Sequence, residues 1–138
     1  MKILVVEDEE LIAMTVIDAL EAAGFSAEHA SGTDEAIALA AVTPFDLALV
    51  DARLAYGDSG IATCQILLEN YSVPSLLATG LDIPDHVGSF ALGVLHKPFT
   101  GEELATTVRA VGKLLCGGNP GQLPDRLELF TDRLRRVS

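Results

Sequence analysis

Phe45-Asp46-Leu47-Ala48-Leu49-Val50-Asp51 is the stretch on which the reading of this chain turns. Six residues, mostly aliphatic, follow the breaker Pro44, and a carboxylate comes directly after them. A run that short and that apolar is the pattern of a strand buried on both faces, as in a parallel sheet covered by helices. Asp51 then stands at the carboxyl end of that strand. In open α/β sheets the carboxyl ends of the strands form the edge where ligands bind.

The rest of the chain repeats the pattern. Strand-like runs at 2–6, 25–29, 45–50, 73–78 and 94–95 alternate with helix-period runs at about 9–23, 33–41, 59–70 and 101–115. Strands alternating with helices predict an α/β fold, a doubly wound five-stranded parallel sheet with helices on both faces. Thr100 is a good N-cap for the last of these helices, with Glu103 three residues on. The segment 81–92 contains Pro84 and Gly88 and has weak apolar periodicity, so a helix there is short and motion is expected in it. After Cys116, Gly-Gly-Asn-Pro-Gly ends the preceding helix. Leu127, Phe130, Leu134 and Val137 then recur at helical spacing beside Arg126, Arg133, Arg135 and Arg136, which predicts a short amphipathic helix within 123–137 that docks in cis or on a second copy. The expected organisation is one domain over 1–116 and a linker with a C-terminal helical extension over 117–138.

Composition excludes several classes. Twenty acidic residues against nine basic give a net charge of −11, which argues against nucleic acid as a partner, because that contact needs clustered Lys and Arg. No basic segment followed by an apolar one opens the chain, and no apolar run approaches a membrane span. The protein is expected to begin at Met1, to stay off the membrane and to be cytoplasmic. Cys64 and Cys116 lack metal-ligand or redox spacing and are expected to be buried in helices as small hydrophobes. His29, His86 and His96 lack ligand spacing as well, and are expected at the surface or in loops.

Three further stretches end strand-like runs and so arrive at the same edge as Asp51: Glu7 and Asp8 after the first, Thr79 and Gly80 after the fourth, Lys97 after the fifth. Converging carboxylates repel one another, and a hard divalent cation with oxygen ligands resolves this, Mg²⁺ being the natural candidate. A carboxylate beside Mg²⁺ can attack a phosphoryl group while metal and lysine neutralise the transferring oxygens. That chemistry makes Asp51 the nucleophile, Glu7 and Asp8 metal ligands directly or through water, Lys97 the phosphoryl clamp and Thr79 a hydroxyl donor. Leu11 and Thr15 lie one turn apart on the first helix beside the acids; core packing is the default for Leu11, and kinase docking is the functional alternative.

Val-Val-Glu-Asp-Glu-Glu at 5–10, Leu-Val-Asp at 49–51, Ala-Thr-Gly at 78–80 and His-Lys-Pro-Phe at 96–99, in that order, make residues 2 to about 115 resemble the receiver domain of bacterial two-component response regulators. The resemblance implies a flavodoxin-like sheet of order 2-1-3-4-5 and phosphoryl transfer from a histidine kinase, or a phosphotransfer protein, to Asp51. It further implies a metal ligand at the backbone carbonyl of Arg53 and a cis Lys97-Pro98 peptide. The loop 51–60 and Leu77-Ala78-Thr79-Gly80-Leu81 resemble in part the alphaproteobacterial receivers with the FATGUY motif and those of the general stress response, with Leu77 and Asp82 standing where that motif has aromatics. Val94 replaces the aromatic usual three residues before the lysine, so an aromatic flip cannot serve as the switch. The function expected is a single-domain response regulator, monomer or homodimer, that signals by protein contact or drains phosphoryl groups from a kinase. Two alternatives stand beside it. One is a pseudo-receiver that keeps the fold without phosphorylation; the other is a Mg²⁺-dependent aspartyl phosphatase, which would need a general acid where Arg53 stands.

Overall fold

The computed structural model describes residues 1–54, 59–80 and 90–130. Among these residues ten elements follow one another: β1 (Lys2–Val6), α1 (Glu10–Ala22), β2 (Ser26–Ala30), α2 (Thr33–Val42), β3 (Leu47–Asp51), α3 (Gly60–Tyr71), β4 (Ser75–Thr79), β5 (Gly93–His96), α4 (Gly101–Leu115) and β6 (Leu127–Leu129). They build one sheet of order β2-β1-β3-β4-β5-β6. The first five strands are parallel and β6 is antiparallel to β5. The expected α/β class and the 2-1-3-4-5 order are therefore present, with a sixth strand added at the β5 side.

Strand alternation divides the core into two layers. Leu4, Val6, Ala48, Val50, Leu77 and Val94 face α2 and α3, where Ala36, Cys64 and Leu67 meet them. Ile3, Val5, Leu47, Leu49, Leu76 and Leu95 face α1 and α4, where Leu20, Leu104, Val108 and Val111 meet them. Successive residues of each central strand thus serve opposite layers, which is why these runs are continuously apolar. Thr100 caps α4 as its sequence suggests: its hydroxyl accepts from the Glu103 N–H at 3.0 Å, and the Glu103 carboxylate accepts from the Thr100 N–H at 3.0 Å.

The tail differs from the expected helix. Residues 127–129 form a strand, and Phe130 packs into the layer shared with Val94. The reason is tertiary. Gly93, Val94 and Leu95 are buried, so the outer edge of β5 offers unpaired backbone groups beside apolar side chains, and Leu127 and Leu129 satisfy both demands at once. Gly93 admits this strand, because a Cβ there would overlap the Glu128 carbonyl oxygen and lie 3.1 Å from the Leu129 Cα. Leu134 and Val137 lie outside the described residues, as do most of the segment 81–92 and His86.

Two minor expectations also change. Cys64 is buried in α3, and burial pushes its thiol up to about 12. Cys116 is exposed, because it falls one residue past α4 and off the stripe formed by Leu104, Val108 and Val111. His29 is a half-buried residue of β2 and not a loop residue.

Candidate functional site

The parallel arrangement carries each motif to one end of the sheet. Glu7 and Asp8 follow β1, Asp51 ends β3, Thr79 ends β4 and Lys97 follows β5. Gly60 lets α3 start close against this edge: a Cβ at Gly60 would overlap the Asp51 carbonyl oxygen and stand 2.8 Å from the Ala52 Cα. Ser59 caps that helix, its hydroxyl accepting from the Ala62 N–H at 3.3 Å.

Oxygens of the Glu7, Asp8 and Asp51 carboxylates all lie within 4.8 Å of one another. Lys97 Nζ is 3.2 Å from Asp51 Oδ2 and 4.0 Å from Glu7 Oε1. Asp51 Oδ1 accepts the Arg53 N–H at 3.0 Å, so both oxygens of that carboxylate are held in place. Thr79 is buried at 4 % exposure, and its carbonyl accepts the Lys97 N–H at 2.9 Å. A cleft of about 340 Å³ opens over these groups, lined by Asp8, Glu9, Asp51, Arg53, Leu54, Thr79, Gly80 and Lys97. Lys97-Pro98 is cis.

Glu7 is the electrostatic centre of the cluster. Only 5 % of it is exposed. Burial first, then the Asp51 carboxylate by hydrogen bonding and charge, then Asp8, push its carboxyl up to about 8, with the Lys97 ammonium opposing them. In this pocket Glu7 therefore holds a proton at neutral pH. Three hard oxygen donors converging on one point fit a hard divalent cation such as Mg²⁺, which would displace that proton and replace repulsion with coordination.

Every residue inferred for the pocket, Glu7, Asp8, Asp51, Thr79 and Lys97, is found at this end of the sheet, with Arg53 beside it. Leu11 and Thr15 sit apart from it. They line a neighbouring groove of about 420 Å³ with Ile12, Val16, Pro98 and Phe99. His29 is a contributor that sequence reasoning missed. Its Nε2 lies 2.7 Å from the Glu7 carbonyl oxygen, and because that oxygen can only accept, Nε2 carries the hydrogen. A single histidine in a polar strand gives no signal of this; only the register that pairs Val5 with His29 reveals it.

A doubly wound sheet with an acidic cluster, a buried hydroxyl and a lysine at its carboxyl edge defines a flavodoxin-like α/β protein with a polar site at the strand ends. The chain belongs to the response regulator receiver domain family, whose model matches residues 3–109. It is 32% identical over 115 residues to the transcriptional regulatory protein PmrA of Pectobacterium parmentieri, covering 80% of this chain and 52% of that protein. It is also 32% identical over 114 residues to the heme response regulator HssR of Staphylococcus haemolyticus, covering 80% of this chain and 50% of that one. The chain thus spans about half the length of the curated relatives it matches. Among solved structures it is similar to the chemotaxis response regulator CheY4 of Vibrio cholerae, with a TM-score of 0.72 and 30% identity over 80% of this chain and 97% of that one. A receiver domain is a signalling module of two-component systems, and Mg²⁺ and phosphorylation are typical of its family. Among the described residues no helix is long and apolar enough to cross a membrane.

Proposed function

We propose that this chain is a response regulator receiver that takes a phosphoryl group from the phosphohistidine of a histidine kinase, or of a phosphotransfer protein, onto Asp51. The observation that carries this reading is the Asp51 carboxylate at the end of β3, 3.2 Å from the Lys97 ammonium and within 4.8 Å of two further carboxylates. An Asp51 oxygen attacks phosphorus, the P–N bond to the donor imidazole breaks, and an acyl phosphate forms on Asp51. Glu7, Asp8, Asp51 and the Arg53 carbonyl would hold Mg²⁺, which when bound supplies positive charge to the transferring oxygens. Lys97, already on Asp51 Oδ2, shifts to a phosphoryl oxygen, and the Thr79 hydroxyl donates to another. Water later attacks phosphorus and returns inorganic phosphate.

The kinase docks on α1. Leu11 is 83% exposed, with Ile12 and Met14 also exposed, beside the groove that Thr15, Val16, Pro98 and Phe99 line. A large aliphatic side chain left in water next to an apolar groove fits a helix laid across it. The output is protein contact or the draining of phosphoryl groups, in the cytoplasm, by a monomer or homodimer; the net charge of −11 is unsuited to nucleic acid.

The test is incubation with Mg²⁺ and acetyl phosphate followed by intact mass. Wild type gains one phosphoryl mass that mild alkali removes, and Asp51→Asn gains none. Labelling that persists in Asp51→Asn moves the acceptor elsewhere, and no labelling of wild type leaves the pseudo-receiver as the better reading.

A further inference from the structure

The C-terminal strand is joined to β5 along its whole length. The Phe130 N–H donates to the Leu92 carbonyl at 2.9 Å, Gly93, Val94 and Leu95 pair with Leu129, Glu128 and Leu127, and the His96 N–H donates to the Arg126 carbonyl at 2.7 Å. His96 Nε2 also lies 3.2 Å from Glu128 Oε2. The residue after His96 is Lys97, whose own N–H donates to the Thr79 carbonyl at 2.9 Å. Backbone hydrogen bonds therefore run from Thr79 through His96-Lys97 to Arg126, across three strands, at the very edge where Asp51 stands. Leu127 adds burial, packed in the layer that holds Leu95, Leu104 and Val108. The His96–Glu128 side-chain pair is solvent-exposed and adds little of its own.

We propose that β6 is a strap on the phosphoryl clamp: its backbone grip on His96 restrains the backbone that carries Lys97, and phosphorylation of Asp51 loosens it. This inference rests on the phospho-acceptor reading above. Its direction follows from the geometry. Lys97 Nζ already touches Asp51 at 3.2 Å, so the group that closes on a phosphoryl group there, on the β3 side, is Thr79, and the Lys97 N–H bond to the Thr79 carbonyl carries the Lys97 backbone with it. Arg126 lies on the opposite side of β5. Motion toward Asp51 thus lengthens the His96–Arg126 bond, the first rung of the β5–β6 ladder. Two states result, strap docked and strap released, and the phosphoryl group binds the second better. Linkage makes the effect reciprocal: whatever releases the strap tightens the hold on the phosphoryl group by the same factor.

The test uses the full chain and beryllofluoride with Mg²⁺ as the phosphoryl mimic. Amide exchange over 126–130 and at His96 should accelerate by roughly fivefold or more when the mimic is bound, the lower end of ordinary coupling. Amides of β1 serve as the internal reference. Gly93→Ala, which drives a Cβ into Glu128, and Leu127→Asp, which abolishes burial of the strand, each release the strap independently. Either variant should exchange rapidly with and without the mimic and bind beryllofluoride more tightly than wild type by a matching factor. Unchanged or slower exchange in wild type with the mimic bound overturns the strap, and this comparison needs no variant. So does unchanged or weaker affinity in a variant that keeps its circular dichroism. Absence of both phosphoryl labelling and beryllofluoride binding overturns the phospho-acceptor reading and the strap together, whereas labelling with an unmoved strand overturns the strap alone.

Discussion

Protonation of Glu7 makes Mg²⁺ binding a reaction that releases a proton. With its carboxyl pushed up to about 8 by burial and by Asp51, Glu7 is ionised in only about 1 % of metal-free molecules at pH 6, about 9 % at pH 7 and about half at pH 8. If the cation binds the ionised form, apparent Mg²⁺ affinity should rise roughly 50-fold from pH 6 to pH 8 and then level off. At pH 7 each bound ion should release about 0.9 proton. Isothermal calorimetry in two buffers of different ionisation enthalpy measures both quantities, and it is the suitable probe because the chain has no Trp to report binding by fluorescence. Glu7→Gln should flatten the dependence and lose the proton release. Stability moves in the complementary direction. The folded metal-free chain keeps the Glu7 proton up to about pH 8, while the unfolded chain loses it near the ordinary value of 4.5, so stability falls as pH rises across that window. Saturating Mg²⁺ should abolish the fall. Affinity that is constant between pH 6 and 8, with no proton released, would refute the premise that burial and Asp51 keep Glu7 neutral.

Gly60→Ala places a Cβ against the Asp51 carbonyl, so denaturant unfolding should show a loss of about 1–3 kcal/mol, with slower labelling of Asp51; equal stability would mean that α3 shifts freely. Lys97→Met should slow labelling by acetyl phosphate roughly 10²-fold, as loss of one preorganised charge does at a transferring group. Because Lys97 opposes the upward push on Glu7, the same variant should move the Mg²⁺ pH profile to higher pH, and an unmoved profile would contradict that. Leu11→Ser, at an 83% exposed position, should change stability by no more than about 0.5 kcal/mol and leave labelling by acetyl phosphate intact while slowing transfer from the kinase; slowing of both would place Leu11 outside a docking role.

The pocket was legible because the fold translates order along the chain into position. Glu7, Asp51, Thr79 and Lys97 each end or follow a short apolar run, and parallel pairing of β1, β3, β4 and β5 brings those ends together whatever the details of the helices. The tail was not legible. Leu127, Phe130 and Leu134 fit a helical period, yet Leu127 and Leu129 alternate equally well as a strand, and a short apolar run does not separate the two. The decision lies far away in sequence, at Gly93, whose missing Cβ makes room for Glu128 and Leu129. His29 was hidden for a similar reason, since its value comes from standing beside Glu7 across the β1–β2 pair. Periodicity reports the environment of a segment on average, while register and cross-strand approach depend on partners tens of residues away.

Edge chemistry explains why, among the described residues, the sheet recruits a sixth strand beside β5 and none beside β2. β2 can remain an edge: Ser26, Glu28 and His29 are polar and exposed or half-buried, Glu28 pairs with Lys2 at 3.5 Å, and charge on an edge discourages pairing with another chain. β5 has no such protection. Its Gly93-Val94-Leu95 run is buried and uncharged, the composition that invites another chain to pair when left open. Leu127–Leu129 closes that edge and becomes an edge strand itself, but a short one, with Glu128 exposed at its centre. Covering β5 also turns the strand that precedes Lys97 from an edge into an interior strand. The same hydrogen bonds that protect the sheet from other chains therefore also hold the backbone at His96, the residue before Lys97.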